Sequence, residues 1–285
     1  MPEAGRPDVP VPVAAVPGDP GWLPPEVNTG VAHPARVYDY WLGGKDNFAA
    51  DRVLGDSIIK AMPSTVAAAR ANRAFLGRAV RYLAAEAGIG QFLDIGTGIP
   101  TAGNTHEVAQ AAEPQARVVY VDNDPIVLAH ARALMESHPA GATAFIQADL
   151  REPGKILADP ALAATLDLGR PVALMLIAIL HFFADQDKPR AIVAELLDAL
   201  PSGSYLAVTH STADFSPGEI SGVAEATRQA GVRYTPRSQA EVAAFFDGLD
   251  LVDPGVVPVL AWRPDGKAPE DPRAAYIHAA VGRKP

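Results

Sequence analysis

Five apolar segments, each followed by a helix-like segment, limit what this chain can fold into. QFLDIG leads to HEVAQAA, RVVYVD to PIVLAHARALMES, and ATAFIQAD to a short Ala- and Leu-bearing helix. PVALMLIAIL leads to KPRAIVAELLDAL and GSYLAVTH to GEISGVAEATRQAG. Strands with continuous apolar runs are buried on both faces, and strand–helix alternation lays helices over both faces of a parallel sheet. Right-handed crossovers then leave few topologies. Near the end, LVDPGVVPVLAW and AAYIHAAVGR read as two more strands, and the Pro-, Gly- and charge-rich RPDGKAPEDPR between them suits a hairpin. The fold expected is α/β: a doubly wound, seven-stranded, mostly parallel sheet with a C-terminal antiparallel hairpin and an N-terminal helical cap.

Three blocks follow. Residues 1–30 are rich in Pro, which blocks helix and ladder bonds, so a disordered or extended tail is expected. Residues 31–88 form the cap. Within it STVAAARANRAFLGRAVRYLAAEAG reads as one long helix with Ser64 as N-cap and Gly88 as stop. Phe75, Ala79, Tyr82 and Leu83 give that helix its apolar face, and Arg70, Arg73, Arg78 and Arg81 sit elsewhere around it. Residues 89–285 carry the sheet.

Charge and cysteine content remove several functions. The formal net charge of −9 repels a phosphate backbone, so nucleic acid is not an expected partner. With no cysteine, disulfides, zinc–cysteine sites and cysteine nucleophiles are excluded, and no metal ligand set is assigned. The most apolar run, Pro171–Leu180, is too short to span a bilayer, and the N-terminus lacks a basic region followed by a long apolar run. A cytoplasmic protein without a membrane partner is expected.

In such sheets the ligand sits at the carboxyl ends of the strands. Acids close three successive strands: Asp94, Asp122 and Asp149. The second is placed to grip the two hydroxyls of a ribose. The third can accept from the exocyclic amine of adenine, and the first can hold an ammonium or a ribose. Gly96 and Gly98 let the backbone turn and approach a ligand closely. The run GTGIPTAGNTHE departs from a pyrophosphate loop, because Thr101 stands at the third glycine position and Pro100 has no N–H to donate. A positively charged nucleoside therefore suits the acids better than two phosphates, and S-adenosylmethionine is such a ligand.

FLDIGTG, VDNDPIVLAHAR, QADLREP and LDALPSGSYLAVTH, in this order and spacing over residues 90–215, resemble the motifs of class I S-adenosylmethionine-dependent methyltransferases. The resemblance implies a Rossmann-like sheet, S-adenosyl-L-methionine as cofactor, and cofactor contacts from Asp94, Gly96, Thr97, Gly98, Asp122, Asn123, Asp149, Leu150 and Ala178. ARVYDYWLGGKDNFAADR, ARANRAFLGRAVRYL, DIGTGIPTAGNTHEVAQ and FFDGLDLVDPGVVPVLAWRP further resemble an actinobacterial S-adenosyl methyltransferase family formerly classed as a domain of unknown function. That resemblance implies no acceptor; a small molecule is expected.

ARVYDYWLGGKDNF precedes the first strand, where such enzymes often carry a cap over the cofactor. Tyr38, Trp41 and Leu42 recur at helical spacing and can share a face. Aromatic rings beside a sulfonium would gain about 0.5–2 kcal/mol. Gly43 and Gly44 would stop the helix and let backbone cross the pocket mouth. Lys45, Asp46 and Asn47 offer groups for the methionine end. Tyr38, Gly43, Gly44 and Asn47 are therefore assigned to the cofactor. His181 and His210 end the fourth and fifth strands, where an imidazole could act as a base. Two other readings remain: a cofactor-binding regulator or sensor without catalysis, and an NAD(P)-dependent oxidoreductase on a similar sheet.

Overall fold

In the computed structural model, residues 27–134, 136–267 and 269–285 are described. The expected tail lies almost wholly outside them; of its last residues, Val27 packs near Ile99 and Ile126.

Helices α1 (Pro34–Leu42), α2 (Ala49–Ala61) and α3 (Thr65–Arg81) come first. Then β1 (Gln91–Ile95), α4 (Thr105–Ala112), β2 (Arg117–Asp122), α5 (Pro125–Leu134) and β3 (Ala142–Gln147) alternate. They are followed by α6 (Pro153–Leu157), α7 (Pro160–Thr165), β4 (Ala173–Ile177), α8 (Pro189–Asp198) and β5 (Tyr205–Ser211). The chain ends with α9 (Pro217–Gln229), α10 (Gln239–Ala243), β6 (Asp250–Leu251), β7 (Val257–Pro258) and β8 (Ile277–Arg283). Among the described residues no helix is long and apolar enough to cross a membrane.

The strand order is β3-β2-β1-β4-β5-β8-β6, with β7 also paired to β8. β1 to β5 are parallel, and β8 is antiparallel to β5, β6 and β7. This is the expected mixed sheet with one difference. The strand read over 251–262 is broken into β6 and β7, because Gly255 N–H turns back onto Val252 O at Asp253–Gly255. Side chains alternate across both faces. Phe92, Met175 and Ala207 pack under α3 and α9, and Leu93, Leu174 and Leu206 pack over α6 and α8. That is the period of two expected for strands buried on both sides.

Two details of α3 differ from the sequence reading. Ser64 has helical dihedrals and makes no side-chain cap; instead the Thr65 hydroxyl donates to Met62 O at 2.7 Å. Arg78 belongs to the buried face: its guanidinium donates to Trp262 O at 3.0 Å and Val259 O at 2.9 Å. It satisfies carbonyls of the stretch that follows β7, while Trp262 packs edge-on against Phe75 at 5.1 Å.

Candidate cofactor and acceptor site

The strand order reverses between β1 and β4, the point at which an open α/β sheet leaves a crevice. One continuous cavity of about 390 Å³ lies there, walled by the strand ends, by α1 to α3 and by α9. Asp94, Gly96, Thr97, Gly98, Asp122, Asn123, Asp149, Leu150 and Ala178, the strand-end residues read from the sequence, all line it.

Each acid is set differently. Asp122 is buried, and its two oxygens accept from Gly98 N–H at 2.9 Å and Asp124 N–H at 3.0 Å. Each oxygen keeps lone-pair capacity for a ligand hydroxyl. Burial raises its pKa. Asp94 accepts the Thr105 hydroxyl at 2.6 Å, and burial pushes its pKa up to about 6. Asp149 is more open; it accepts from Arg151 N–H at 2.8 Å and pairs with the Arg151 guanidinium at 3.1 Å.

The turns between strand and helix are held by close packing. At Gly96 φ is +77°, and a Cβ there would stand 2.2 Å from Ile179 Cδ1, so only glycine lets the β1 and β4 ends meet. Ala178 has φ +56°, a costly value for a residue with a Cβ, and its N–H is fixed by the Thr209 hydroxyl at 2.8 Å. The Thr97 hydroxyl turns inward to Asp94 O at 3.0 Å. Pro100 does not start a helix. α4 begins five residues later, where Glu107 reaches back to the N–H groups of Gly103 and Asn104.

Part of the Ala35–Phe48 assignment is corrected. Tyr38 and Trp41 line the cavity, but Gly43, Gly44 and Asn47 do not. Asn47 is buried and donates to Asp39 Oδ2 at 2.8 Å and Gly44 O at 3.1 Å. Asp46 N–H also donates to Asp39 Oδ2, at 3.0 Å. Gly43 ends α1 in the left-handed region. Gly44 passes so close to Asp39 that a Cβ would lie 1.8 Å from Oδ1. These polar groups therefore lock the loop to the end of α1. Even Tyr38 spends its hydroxyl on α3, donating to Ala69 O at 2.8 Å and accepting from Asn72 at 3.0 Å.

The two histidines separate. His181 lines the cavity, and its Nδ1 is buried without a partner among the described residues. Burial, with His210 and Arg237 nearby, holds its pKa well below the usual imidazole value, so the ring is neutral at pH 7. His210 does not line the cavity. Its Nε2 lies 3.1 Å from the buried Arg237 guanidinium, which can only donate, so Nε2 accepts. Nδ1 then carries the proton and donates to Ser211 O at 2.8 Å. Burial lowers its pKa to about 4. With both nitrogens engaged, His210 has no free position for catalysis, which corrects the sequence assignment. His106, buried and bonded to the Tyr120 hydroxyl, is likewise structural.

Sequence reasoning missed the charges that join the N-terminal helices to the sheet. His33 Nδ1 lies 3.1 Å from Asp124 Oδ2, and buried Arg36 sits between Asp124 at 3.3 Å and Asp51 at 3.8 Å. Arg73, read from the sequence only as lying off the apolar face of its helix, lines the cavity and donates to Asn104 Oδ1 at 2.9 Å and Thr101 O at 3.3 Å. It ties α3 to the loop after β1. The acids Asp51 and Asp124 stood in the sequence as a signal, but their partners are far away along the chain.

The profile of the S-adenosyl methyltransferase family matches residues 20–285. The chain is similar to a DUF574-family protein of Streptomyces avermitilis, with 49% identity, a TM-score of 0.88, and 90% of this chain and 99% of that one covered. It is also similar to a candidate methyltransferase of Thermobifida fusca, with 43% identity, a TM-score of 0.85, and 93% and 99% covered. No functionally curated protein matches. A profile match over nearly the whole chain, on a sheet whose strand ends carry the three acids in one cavity, means that the chain belongs to the S-adenosyl methyltransferase family, enzymes that draw their methyl group from S-adenosylmethionine.

Proposed function

We propose that the cavity binds S-adenosylmethionine along the ends of β1 to β4 and a small-molecule methyl acceptor beside it, under the N-terminal helices acting as a cap. The observation that carries this reading is the convergence of Asp94, Asp122 and Asp149 on one cavity wall, with both Asp122 oxygens already oriented by backbone N–H groups. Asp122 is assigned to the ribose hydroxyls, Asp149 and Leu150 to the adenine, and Asp94 with Gly96 to Gly98 to the methionine end. Asn123 and Ala178 complete the wall. A buried carboxylate with a pKa near 6 fits a site completed by a cation, because an ammonium nearby restores the ionised form.

When bound, the cofactor supplies a methyl group on positively charged sulfur, open to an electron pair of the acceptor. What this chain contributes is alignment, exclusion of water and a place for a proton. The apolar side chains of α1 to α3 and α9 exclude water. His181 is neutral and on the cavity wall, so it can receive a proton or orient a donor. The net charge of −9 supports a small acceptor over nucleic acid, and the cysteine-free chain fits a cytoplasmic setting.

Calorimetry with S-adenosylmethionine, S-adenosylhomocysteine and NAD tests the reading, with Asp122→Ala as control. Binding of the two adenosyl ligands, lost in the variant, is expected. NAD bound in their place would sink it. Tight adenosyl binding without turnover on any acceptor would point to a sensor instead of an enzyme.

A further inference from the structure

The cavity has two chemically distinct walls. Apart from His181, its acidic and basic side chains are His33, Asp94, Asp122, Asp149 and Arg151 on the strand-end side, Arg73, which reaches from α3 to the loop after β1, and Arg233, half-exposed and held by Asp187 at 3.1 Å. The opposite wall, from α1, α2, α3, α9 and the start of β8, is built of residues such as Trp41, Leu54, Ile58, Ala69, Val223 and Tyr276. The hydroxyls there are already spent. Tyr38 is bonded to Ala69 O, Thr65 to Met62 O, and Tyr276 to Thr65, while Tyr234 pairs with Ser211. An ionised acceptor in this chamber would lose its hydration and meet only charges already engaged, Arg73 with Asn104 and Thr101 and Arg233 with Asp187, a cost of several kcal/mol.

One imidazole stands beside that wall; Asn72 Oδ1 and Arg73 Nε, on α3 in the same lining, are also buried without a hydrogen-bond partner among the described residues. The His181 ring is held by packing, against Phe182 at 4.3 Å and Tyr234 at 5.7 Å between centroids, and its buried Nδ1 has no partner among the described residues. A buried polar atom without a partner calls for something to complete it, a ligand, an ion or a water. Arg237 lies behind it, engaging His210 and the carbonyls of Leu180 and Phe183. That positive charge, paired with the exposed Asp185 at 2.7 Å, disfavours a second cation at His181.

From these walls we infer that the methyl acceptor is an uncharged, largely apolar molecule of ring-like size that carries a hydroxyl, and that the His181 imidazole accepts the hydrogen bond of that hydroxyl. The inference rests on the proposed adenosyl site and narrows its second ligand. It separates this chamber from one made for amines, carboxylates or phosphates.

The test uses the full chain saturated with S-adenosylhomocysteine and four probes sharing one ring system: naphthalene, 2-naphthol, 2-naphthoate and 2-naphthylmethylammonium. Calorimetry is expected to show 2-naphthol bound at least about tenfold more tightly than either charged probe. His181→Phe keeps an aromatic ring in place and removes the acceptor atom. It is expected to weaken 2-naphthol by about five- to tenfold and to leave naphthalene and S-adenosylhomocysteine unchanged. Equal or tighter binding of a charged probe, or no binding of 2-naphthol, overturns the inference while leaving the adenosyl site standing. A His181→Phe variant that weakens naphthalene as much as 2-naphthol overturns the hydrogen bond. Failure of S-adenosylhomocysteine itself to bind would remove the reading on which both depend.

Discussion

In the loop after β1, the Gly98 N–H donates to Asp122 and the backbone faces the cavity. In the loop after α1, the Asn47 side chain and the Asp46 N–H both donate to Asp39, and the cluster faces inward. Both stretches join glycines to an acid and an amide donor, and both read from sequence as ligand grips. The difference lies in where the acid sits. Asp122 ends a strand, where neighbouring strands hold the backbone and leave the carboxylate over a crevice. Asp39 sits on a helix whose C-terminus needs closing, and a buried carboxylate there must be satisfied from within the chain. A cluster of polar residues beside Gly-Gly is therefore a ligand site only when some other element already supplies the loop's own hydrogen bonds.

The sharpest way to break that contrast is to delete each acid. On the proposed ribose assignment, Asp122→Ala would remove two charge-assisted hydrogen bonds, each worth about 1.5 kcal/mol or more, so S-adenosylhomocysteine affinity should fall about 100-fold by calorimetry. Asp39→Ala leaves one N–H of the Asn47 amide and the Asp46 N–H without an acceptor. It should cost about 2–3 kcal/mol of stability in urea unfolding while changing ligand affinity less than about threefold. A loss of affinity for Asp39→Ala on the scale of Asp122→Ala would return the α1 loop to the ligand site.

Asp94 sharpens the same contrast through pH. Its native pKa is about 6 against an ordinary 3.8, so the folded state keeps the proton longer than the unfolded state. Stability should therefore fall as pH rises from about 4 to about 6, and this contribution should be flat above. Asp94→Asn keeps an acceptor for the Thr105 hydroxyl and removes the buried charge. At pH 7 the unliganded protein should gain about 1–3 kcal/mol, with its pH dependence in that window reduced, and should bind S-adenosylmethionine more weakly. Unchanged stability at pH 7 would mean that the carboxylate is better solvated than its burial implies.

What could be read in advance follows the same physics. The strands were legible because each carries a central apolar run; RVVYVD matches β2 residue for residue. The strand-end acids were legible because topology alone places them. The buried cations were not. Arg36, Arg78 and Arg237 look like surface residues in a sequence, and their burial depends on acceptors brought near by folding: Asp124, Trp262 O and Phe183 O. His210 misled for the same reason. Its position at a strand end was read correctly, but the arginine that occupies its second nitrogen comes from a loop 27 residues on.

Tyr38 gives the finest test, because it belongs to both regions. Its ring lines the cavity, and its hydroxyl is bound to α3. If the α1 segment serves the ligand only through aromatic faces, the two parts should separate. Tyr38→Phe keeps the ring and leaves the Asn72 amide without its acceptor, so stability should fall by about 1 kcal/mol with cofactor affinity unchanged. Tyr38→Leu removes the ring as well. If the ring faces the sulfonium, S-adenosylmethionine should lose about 0.5–2 kcal/mol of binding, and neutral S-adenosylhomocysteine should lose much less. Equal losses for the two ligands would make Tyr38 a packing residue only. The α1 segment would then act on the acceptor chamber and its closure, and the strand ends alone would hold the cofactor.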